Sequence, residues 1–246
     1  MTTGTALITG AGRPLGIGCA TAGQLAEQGF HVILTARDEH RAQERAAELC
    51  RAGHTASALR LDLSDPAGID DAAARVAGRT DRLDVLVNNA SSWPDSHVLS
   101  PLDADLTETR TAFEVDVLGP WRLIQALLPL LRQAPAARIV NVSSEAALQI
   151  GVHRADGFLR APGYSLAKYT MTVLTSLLAP ALADTSILIN SVDPGETASH
   201  PERGDEDTAR PSAESARGVV WAATLPAGGP TGGLFKDGRP VASAAP

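Results

Sequence analysis

Short apolar runs rich in β-branched residues alternate along the chain with longer stretches whose apolar positions recur every three or four residues. Residues 5–9 predict a first buried strand, and 19–28 a helix closed by Gly29. Residues 31–35 predict a second strand, 38–52 a polar helix ending at Gly53, and 58–62 a third strand. Ser64-Asp65-Pro66 has the form of an N-cap with Pro in the first turn. A fourth strand follows at 83–87, then a long helix over 108–132 with a bend near Pro120 or Pro129. Strands at 138–142 and 186–190 and helices at 164–179 and 213–223 complete the pattern, and the end is rich in Gly and Pro. Strands separated by helices require crossover connections, so the expected fold class is α/β: a doubly wound parallel sheet with helices on both faces. Neither a linker nor a repeat divides the chain, which gives one domain over 1–246. Two long loops, 147–163 and 196–211, follow the fifth and sixth strands. In open α/β sheets ligands bind beyond the carboxyl ends of the strands, so both loops are candidate substrate walls.

Composition narrows the function classes. The chain has 246 residues, 44% of them hydrophobic and 20% charged, enough to bury a large core. A net charge of −7 without a basic run argues against a nucleic-acid partner. No apolar stretch is long enough for a membrane span, and Met1-Thr2-Thr3-Gly4 does not open a secretory signal. Two cysteines, Cys19 and Cys50, make no disulfide framework and fit a reducing cytoplasm. The six histidines lack paired ligand spacing, so no metal site is expected. All but two of the 21 basic residues are Arg; the exceptions are Lys168 and Lys236. A chain that otherwise uses Arg keeps Lys where it needs a primary amine.

The first strand runs into Thr9-Gly10-Ala11-Gly12-Arg13-Pro14-Leu15-Gly16-Ile17-Gly18 and then a helix. Glycines at such a turn let backbone approach a pyrophosphate, and the helix N-terminus favours its charge. This is a Rossmann-type signature. After the second strand, where an acid would take the ribose hydroxyls of NAD, stand Ala36 and Arg37. A guanidinium suits the 2′-phosphate of NADP, and Arg13 is a second candidate clamp. Further on, Tyr164 and Lys168 lie four apart on one helical face. Free Tyr titrates near ~10. A neighbouring ammonium stabilises the phenolate and makes the phenol usable as an acid or base near neutral pH.

Together Thr9-Gly10, Asp62-Leu63, Asn88-Asn89-Ala90, Ser143-Ser144, Tyr164-Ser-Leu-Ala-Lys168 and Pro194-Gly195 resemble the short-chain dehydrogenase/reductase family over nearly the whole chain. The end, with Gly229-Pro-Thr-Gly-Gly233 and Asp237-Gly238, is similar to its carbonyl-reductase-like branch. The resemblance implies an NADP cofactor cradled by Gly10, Gly12, Arg13, Gly16 and Ile17, with Arg37 on its phosphate. It implies Asp62 on the adenine with Leu63 beside it, and Asn89 and Ala90 lining the ribose. Pro194, Gly195 and Thr197 would hold the nicotinamide carboxamide. Tyr164 becomes the proton donor, Lys168 the residue that holds the ribose and tunes it, and Ser144 the group that orients the substrate oxygen. Ser143 remains the alternative to Ser144.

The chain departs from the family in three places. Five residues rather than three separate Gly10 from Gly16, which predicts a bulged loop; counting from Gly12 restores the spacing but displaces the Thr. Asp116 stands where the family has an Asn whose backbone carbonyl holds a relay water. A carboxylate there would raise the Lys168 pKa and weaken its help to Tyr164. Nineteen residues separate Ser144 from Tyr164, and the extra length carries His153, Arg154 and Asp156. For His97, Trp93 and Trp121, packing or exposure is favoured over substrate contact. The expected function is NADPH-dependent reduction of a ketone or aldehyde, or the reverse alcohol oxidation. The alternatives are an NADP-binding regulator or scaffold without turnover, and a dehydratase-like enzyme on the same fold. A homo-oligomer is left open.

Overall fold

The computed structural model describes residues 3–150, 159–199 and 209–241. Strands β1 (Thr5–Ile8), β2 (His31–Ala36), β3 (Ala56–Arg60), β4 (Val85–Asn88), β5 (Arg138–Val142) and β6 (Leu188–Asp193) run parallel. Two short strands, β7 (Thr197–Ala198) and β8 (Arg210–Pro211), pair with each other after β6. The Gly/Pro-rich end adds β9 (Leu234–Lys236) parallel to β6, and β10 (Arg239–Pro240) antiparallel to β9. The sheet order is β10-β9-β6-β5-β4-β1-β2-β3. Strand order reverses between β1 and β4, which puts the ligand crevice beyond their carboxyl ends. The segments after both, Thr9–Gly18 and Asn89–Ala90, are those the sequence marks.

Side-chain alternation sorts the sheet into two unlike faces. Ala6 and Ile8, Val32 and Leu34, Val85 and Val87, and Val140 and Val142 point to one side, under α1 (Ile17–Glu27) and α7 (Ser212–Ala223). Leu7, Ile33, Leu86 and Ile139 point to the other, under α3 (Pro66–Ala77) and α5 (Gly119–Gln133). The first face is mostly Val and Ala, and α1 and α7 meet it with small residues such as Ala22 and Ala222. The second takes Leu123, Leu127 and Leu131. Burial on both faces is why these strands read as continuous apolar runs. The polar helix α2 (Glu39–Arg51) begins at an Asp38 cap.

Several expected boundaries move. Helix α1 starts at Ile17 rather than 19, because Gly16 already serves as its N-cap. Strand β6 lies at Leu188–Asp193 rather than 186–190, since Ser186 and Ile187 still belong to the turn leading in. The single long helix predicted for 108–132 is three pieces: α4 (Leu106–Phe113), a wide π turn (Glu114–Leu118) and α5. Pro120 has no N–H for the carbonyl of Asp116, so the α ladder fails there, and the N–H of Gly119 reaches back to Glu114 instead. Gly119 also lies against the backbone carbonyl of Leu63, where a Cβ would collide. The bend therefore falls before Pro120, at Asp116. Helix α6 (Pro162–Ala181) starts two residues earlier than expected, with Pro in its first turn. No helix among the described residues is long and apolar enough to cross a membrane.

Candidate functional site

The glycine loop is held from behind. The Thr9 hydroxyl accepts the backbone N–H groups of Asn89 and Ala90, both at 2.9 Å. The Asn89 side chain donates to the carbonyl of Thr9 at 2.8 Å and to that of Gly10 at 3.3 Å. The Asn89 side-chain amide thus braces the loop from behind. Gly10 has φ of +68°, and a Cβ on it would sit 2.7 Å from the Ala90 Cα. Gly18, outside the expected site set, packs so closely on Asn89 and the Gly10 carbonyl that no Cβ fits. The two extra residues, Pro14 and Leu15, form the centre of a turn closed by the Gly16 N–H on the Arg13 carbonyl at 3.1 Å. The predicted bulge is therefore a tight turn beside the loop. Gly16 caps α1 without a side-chain acceptor, and no acid occupies the first turn. That leaves a positive helix end facing the crevice. Gly12 lies against the Cβ atoms of Ala36 and Arg41, at the end of β2. Arg13 and Arg37 are both exposed on this rim.

Burial works against the Asp62 carboxylate, but hydrogen bonds from the Ser64 hydroxyl (2.7 Å) and N–H (3.0 Å), with the charges of Arg37 and Arg60, hold its pKa below the usual value. It stays ionised near neutral pH. Leu63 is buried in the core on one face of the sheet, and Ile17, half-buried, packs against the core on the other.

The second half of the site is built on β5, the π turn and α6. Ser143 and Ser144 point in opposite directions after β5. Ser143 is buried, its hydroxyl 2.8 Å from that of Thr172 on α6. Ser144 faces forward, where its hydroxyl helps to lower the Tyr164 pKa, and it accepts the N–H of Ala146 at 3.1 Å. Of the two serines, Ser144 is the one beside Tyr164. One helical turn beyond Tyr164, the Lys168 Nζ lies 5.6 Å from its ring centroid. The ammonium donates to the carbonyl of Val142 at 2.8 Å and pairs with Asp116 Oδ1 at 2.9 Å. Ser144, Tyr164, Lys168 and Asp116 are thus assembled in one cluster.

Asp116 enters this cluster with its side chain, not only its backbone. It is 2% exposed, and it accepts the Ser91 hydroxyl at 2.5 Å and the Ser92 N–H at 2.9 Å. Burial opposes the Lys168 charge, yet the Asp116 and Tyr164 charges outweigh it and raise the Lys168 pKa. For Tyr164 burial is the largest influence and pushes its pKa up. Lys168 and the Ser144 hydrogen bond pull it down, while Asp116 and Asp193 push it further up. Part of the ammonium's field is spent on Asp116.

The third wall follows β6. Asp193, buried at the strand end, accepts the Gly195 N–H at 2.9 Å and pairs with Lys236 at 3.2 Å; Lys236 also reaches Glu145 at 3.2 Å. The second lysine of the chain thus ties the turn after β6 to the segment behind Ser144. Arg210 clamps the same turn through the Pro194 carbonyl and Asp237. The Thr197 hydroxyl is engaged with the Gly195 carbonyl (2.9 Å) and with Ser215 on α7 (2.7 Å). Sequence reasoning missed Ser91, Asp193, Arg210 and Lys236. Only the scarcity of lysine hinted at the last. Trp93, expected to be packed or exposed, is both: its ring is 5.6 Å from that of Tyr164, and it is 40% exposed. Trp121 instead lines a groove with Leu63 and Leu118. His97 is exposed. Parts of both expected substrate loops, with His153, Arg154 and Asp156, lie outside the described residues.

Residues 4–209 match the profile of the family described as short chain dehydrogenase. An uncharacterised oxidoreductase of Escherichia coli, YohF, is 33% identical over 211 residues, which is 85% of this chain and 79% of that protein. The (+)-neomenthol dehydrogenase of Arabidopsis thaliana is 35% identical over 56% of this chain and 53% of its own length. Among solved structures, the RhlG/NADP active-site complex of Pseudomonas aeruginosa superposes with a TM-score of 0.81 at 28% identity, covering 97% of this chain and 96% of that one. With its sheet order, its glycine turn and its Ser-Tyr-Lys cluster, this chain belongs to the short-chain dehydrogenase family of oxidoreductases.

Proposed function

We propose that the protein is an NADPH-dependent reductase of a ketone or aldehyde, able to run in reverse as an alcohol dehydrogenase. The observation that carries this reading is the Ser144–Tyr164–Lys168 cluster, a phenol whose acidity is raised by a facing hydroxyl and by a buried ammonium 5.6 Å from its ring. The cofactor half is compatible with it. An uncapped, acid-free helix end and a Gly10 that leaves no room for a Cβ beside Ala90 fit a pyrophosphate, and Arg37 fits a 2′-phosphate. The NADP complex of the Pseudomonas relative and the alcohol chemistry named for the Arabidopsis relative point the same way.

In this reading Gly10, Gly12, Gly16, Arg13 and Arg37 hold the phosphates, and Asp62 takes the adenine edge. Asn89 and Ala90 form the ribose-side wall, and Pro194, Gly195 and Thr197 form the nicotinamide end. Bound NADPH supplies the hydride for the carbonyl carbon. Ser144 donates a hydrogen bond to the substrate oxygen, and Tyr164 gives that oxygen its proton. Lys168 keeps the developing phenolate stable, and Asp116 with Val142 keeps Lys168 in place. The test is stoichiometric NADPH consumption against a panel of carbonyl compounds, with the matching alcohol as product.

NADPH is expected to bind at least tenfold more tightly than NADH. A charge-assisted hydrogen bond of the Arg37 type is worth about 1.5–3 kcal/mol. Arg37→Asp should erase or reverse that preference in cofactor titrations. Equal affinities in the unmodified protein would sink the assignment.

One observation favours a second reading, an NADP-binding protein without turnover: the carboxylate of Asp116 is spent on Lys168 at 2.9 Å. The pH–rate profile of Asp116→Asn separates the two. Removing the carboxylate removes a charge that raises the Tyr164 pKa. Reduction needs the protonated phenol, so the alkaline limb of the variant should move to lower pH. Superimposable limbs would mean that Asp116 does not couple to Tyr164. A silent parent whose Asn variant reduces carbonyls would favour the second reading.

A further inference from the structure

Helix α6, which carries Tyr164 and Lys168, begins unlike α2 and α4. Those start with their own Asp, Asp38 and Asp105, each accepting an N–H two residues on. The N-cap of α6 is Ala161, held at φ +51° and with no side chain able to accept. Its first-turn N–H groups still need partners. They find them 68 residues away: Asp95 accepts the N–H of Gly163 at 2.6 Å and that of Tyr164 at 3.4 Å. Asp95 is 1% exposed. Gly163 makes the approach feasible, because a Cβ there would sit 2.7 Å from the Thr109 hydroxyl and 3.0 Å from the Asp95 carboxylate. The rest of the segment grips the same helix end. Val98 accepts the Ala161 N–H at 2.8 Å, Ser96 accepts the Arg160 guanidinium at 3.1 Å, and Trp93 packs on the Tyr164 ring.

We infer that Asp95 is a positioning residue for Tyr164: its carboxylate, imported from the loop after β4, fixes the first turn of α6 and with it the place of the phenol. The inference rests on the proton-donor role proposed above for Tyr164. Lys168, a turn further on, is anchored separately by Val142 and Asp116. Loss of Asp95 should therefore loosen the phenol while sparing the ammonium. An Asn at 95 still offers one oxygen to the Gly163 N–H, so it should serve almost as well.

The test compares the unmodified chain with Asp95→Ala and Asp95→Asn. In Asp95→Ala, kcat with a carbonyl substrate should fall at least tenfold while the NADPH Kd stays within twofold. Asp95→Asn should recover most of kcat. The amide protection of residues 163 and 164 against hydrogen exchange should fall at least tenfold in Asp95→Ala and persist in Asp95→Asn. A general loss of fold would instead weaken NADPH binding along with kcat. A kcat for Asp95→Ala within twofold of the parent, or an Asn variant as impaired as the Ala one, overturns the inference. If Asp95→Ala does not fold, Asp95→Ser takes its place; its shorter side chain should lower kcat at least threefold, and an unchanged kcat overturns the inference equally. A parent that reduces no carbonyl would defeat the proposed function instead. Asp95 is then decided by the exchange experiment alone, where equal protection in parent and variant overturns it.

Discussion

Tyr164→Phe should lower the rate of carbonyl reduction by at least 10²-fold and leave NADPH binding within twofold of the parent. The substitution removes one oxygen from a ring that otherwise keeps its place. Trp93 still packs at 5.6 Å, and Lys168 retains Val142 and Asp116. What disappears is the only group in the cluster suited to protonate the substrate oxygen. The Ser144 hydroxyl is a far weaker acid, and the Lys168 ammonium is buried and tied to a carboxylate. General acid catalysis by a placed side chain contributes about 10²–10⁴-fold, or roughly 3–5 kcal/mol of barrier. A variant that kept more than about a tenth of the parent rate, worth ~1.4 kcal/mol, would remove Tyr164 from the role. Single-turnover measurement with saturating NADPH separates this from slow product release.

The alternation of apolar and amphipathic stretches made the layered sheet legible, because burial on both faces leaves each strand continuously apolar and each crossover helix striped. The Tyr164/Lys168 face was legible for a similar reason: a spacing of four fixes both residues to one side of a helix whatever surrounds them. Strands β9 and β10 were not, since three- and two-residue pairings in a Gly/Pro-rich tail carry no periodicity of their own. Partners brought together by tertiary contact were also out of reach. Asp95 meets Gly163 across 68 positions, and Lys236 meets Glu145 across 91. Asp116 lay between these cases. The sequence marked it as the odd residue in its motif and foresaw that its charge would act on Lys168. It did not show that the π turn before Pro120 would aim the carboxylate directly at Nζ, in contact with Ser91.

That contact sets the second large effect. Lys168→Met should cost both turnover and stability. The ammonium and the Asp116 carboxylate are almost wholly buried, so each is tolerable only because the other is present. Removing the lysine strands a carboxylate that keeps only the Ser91 hydroxyl and the Ser92 N–H. Breaking a buried pair from one side typically costs about 3–5 kcal/mol, much of it the penalty of the uncompensated charge. Lys168→Met should thus unfold at clearly lower denaturant concentration than the parent, as well as losing carbonyl reduction and NADPH affinity. The double variant Lys168→Met/Asp116→Asn removes the stranded charge. It should recover most of the lost stability and none of the activity, because nothing in it supplies a positive field to Tyr164. Urea unfolding of the four proteins in this cycle, read beside their turnover, gives the coupling energy of the pair. Stabilities that simply add would show that Asp116 and Lys168 do not depend on each other, and the reading of Asp116 as the anchor of the catalytic lysine would fail with them.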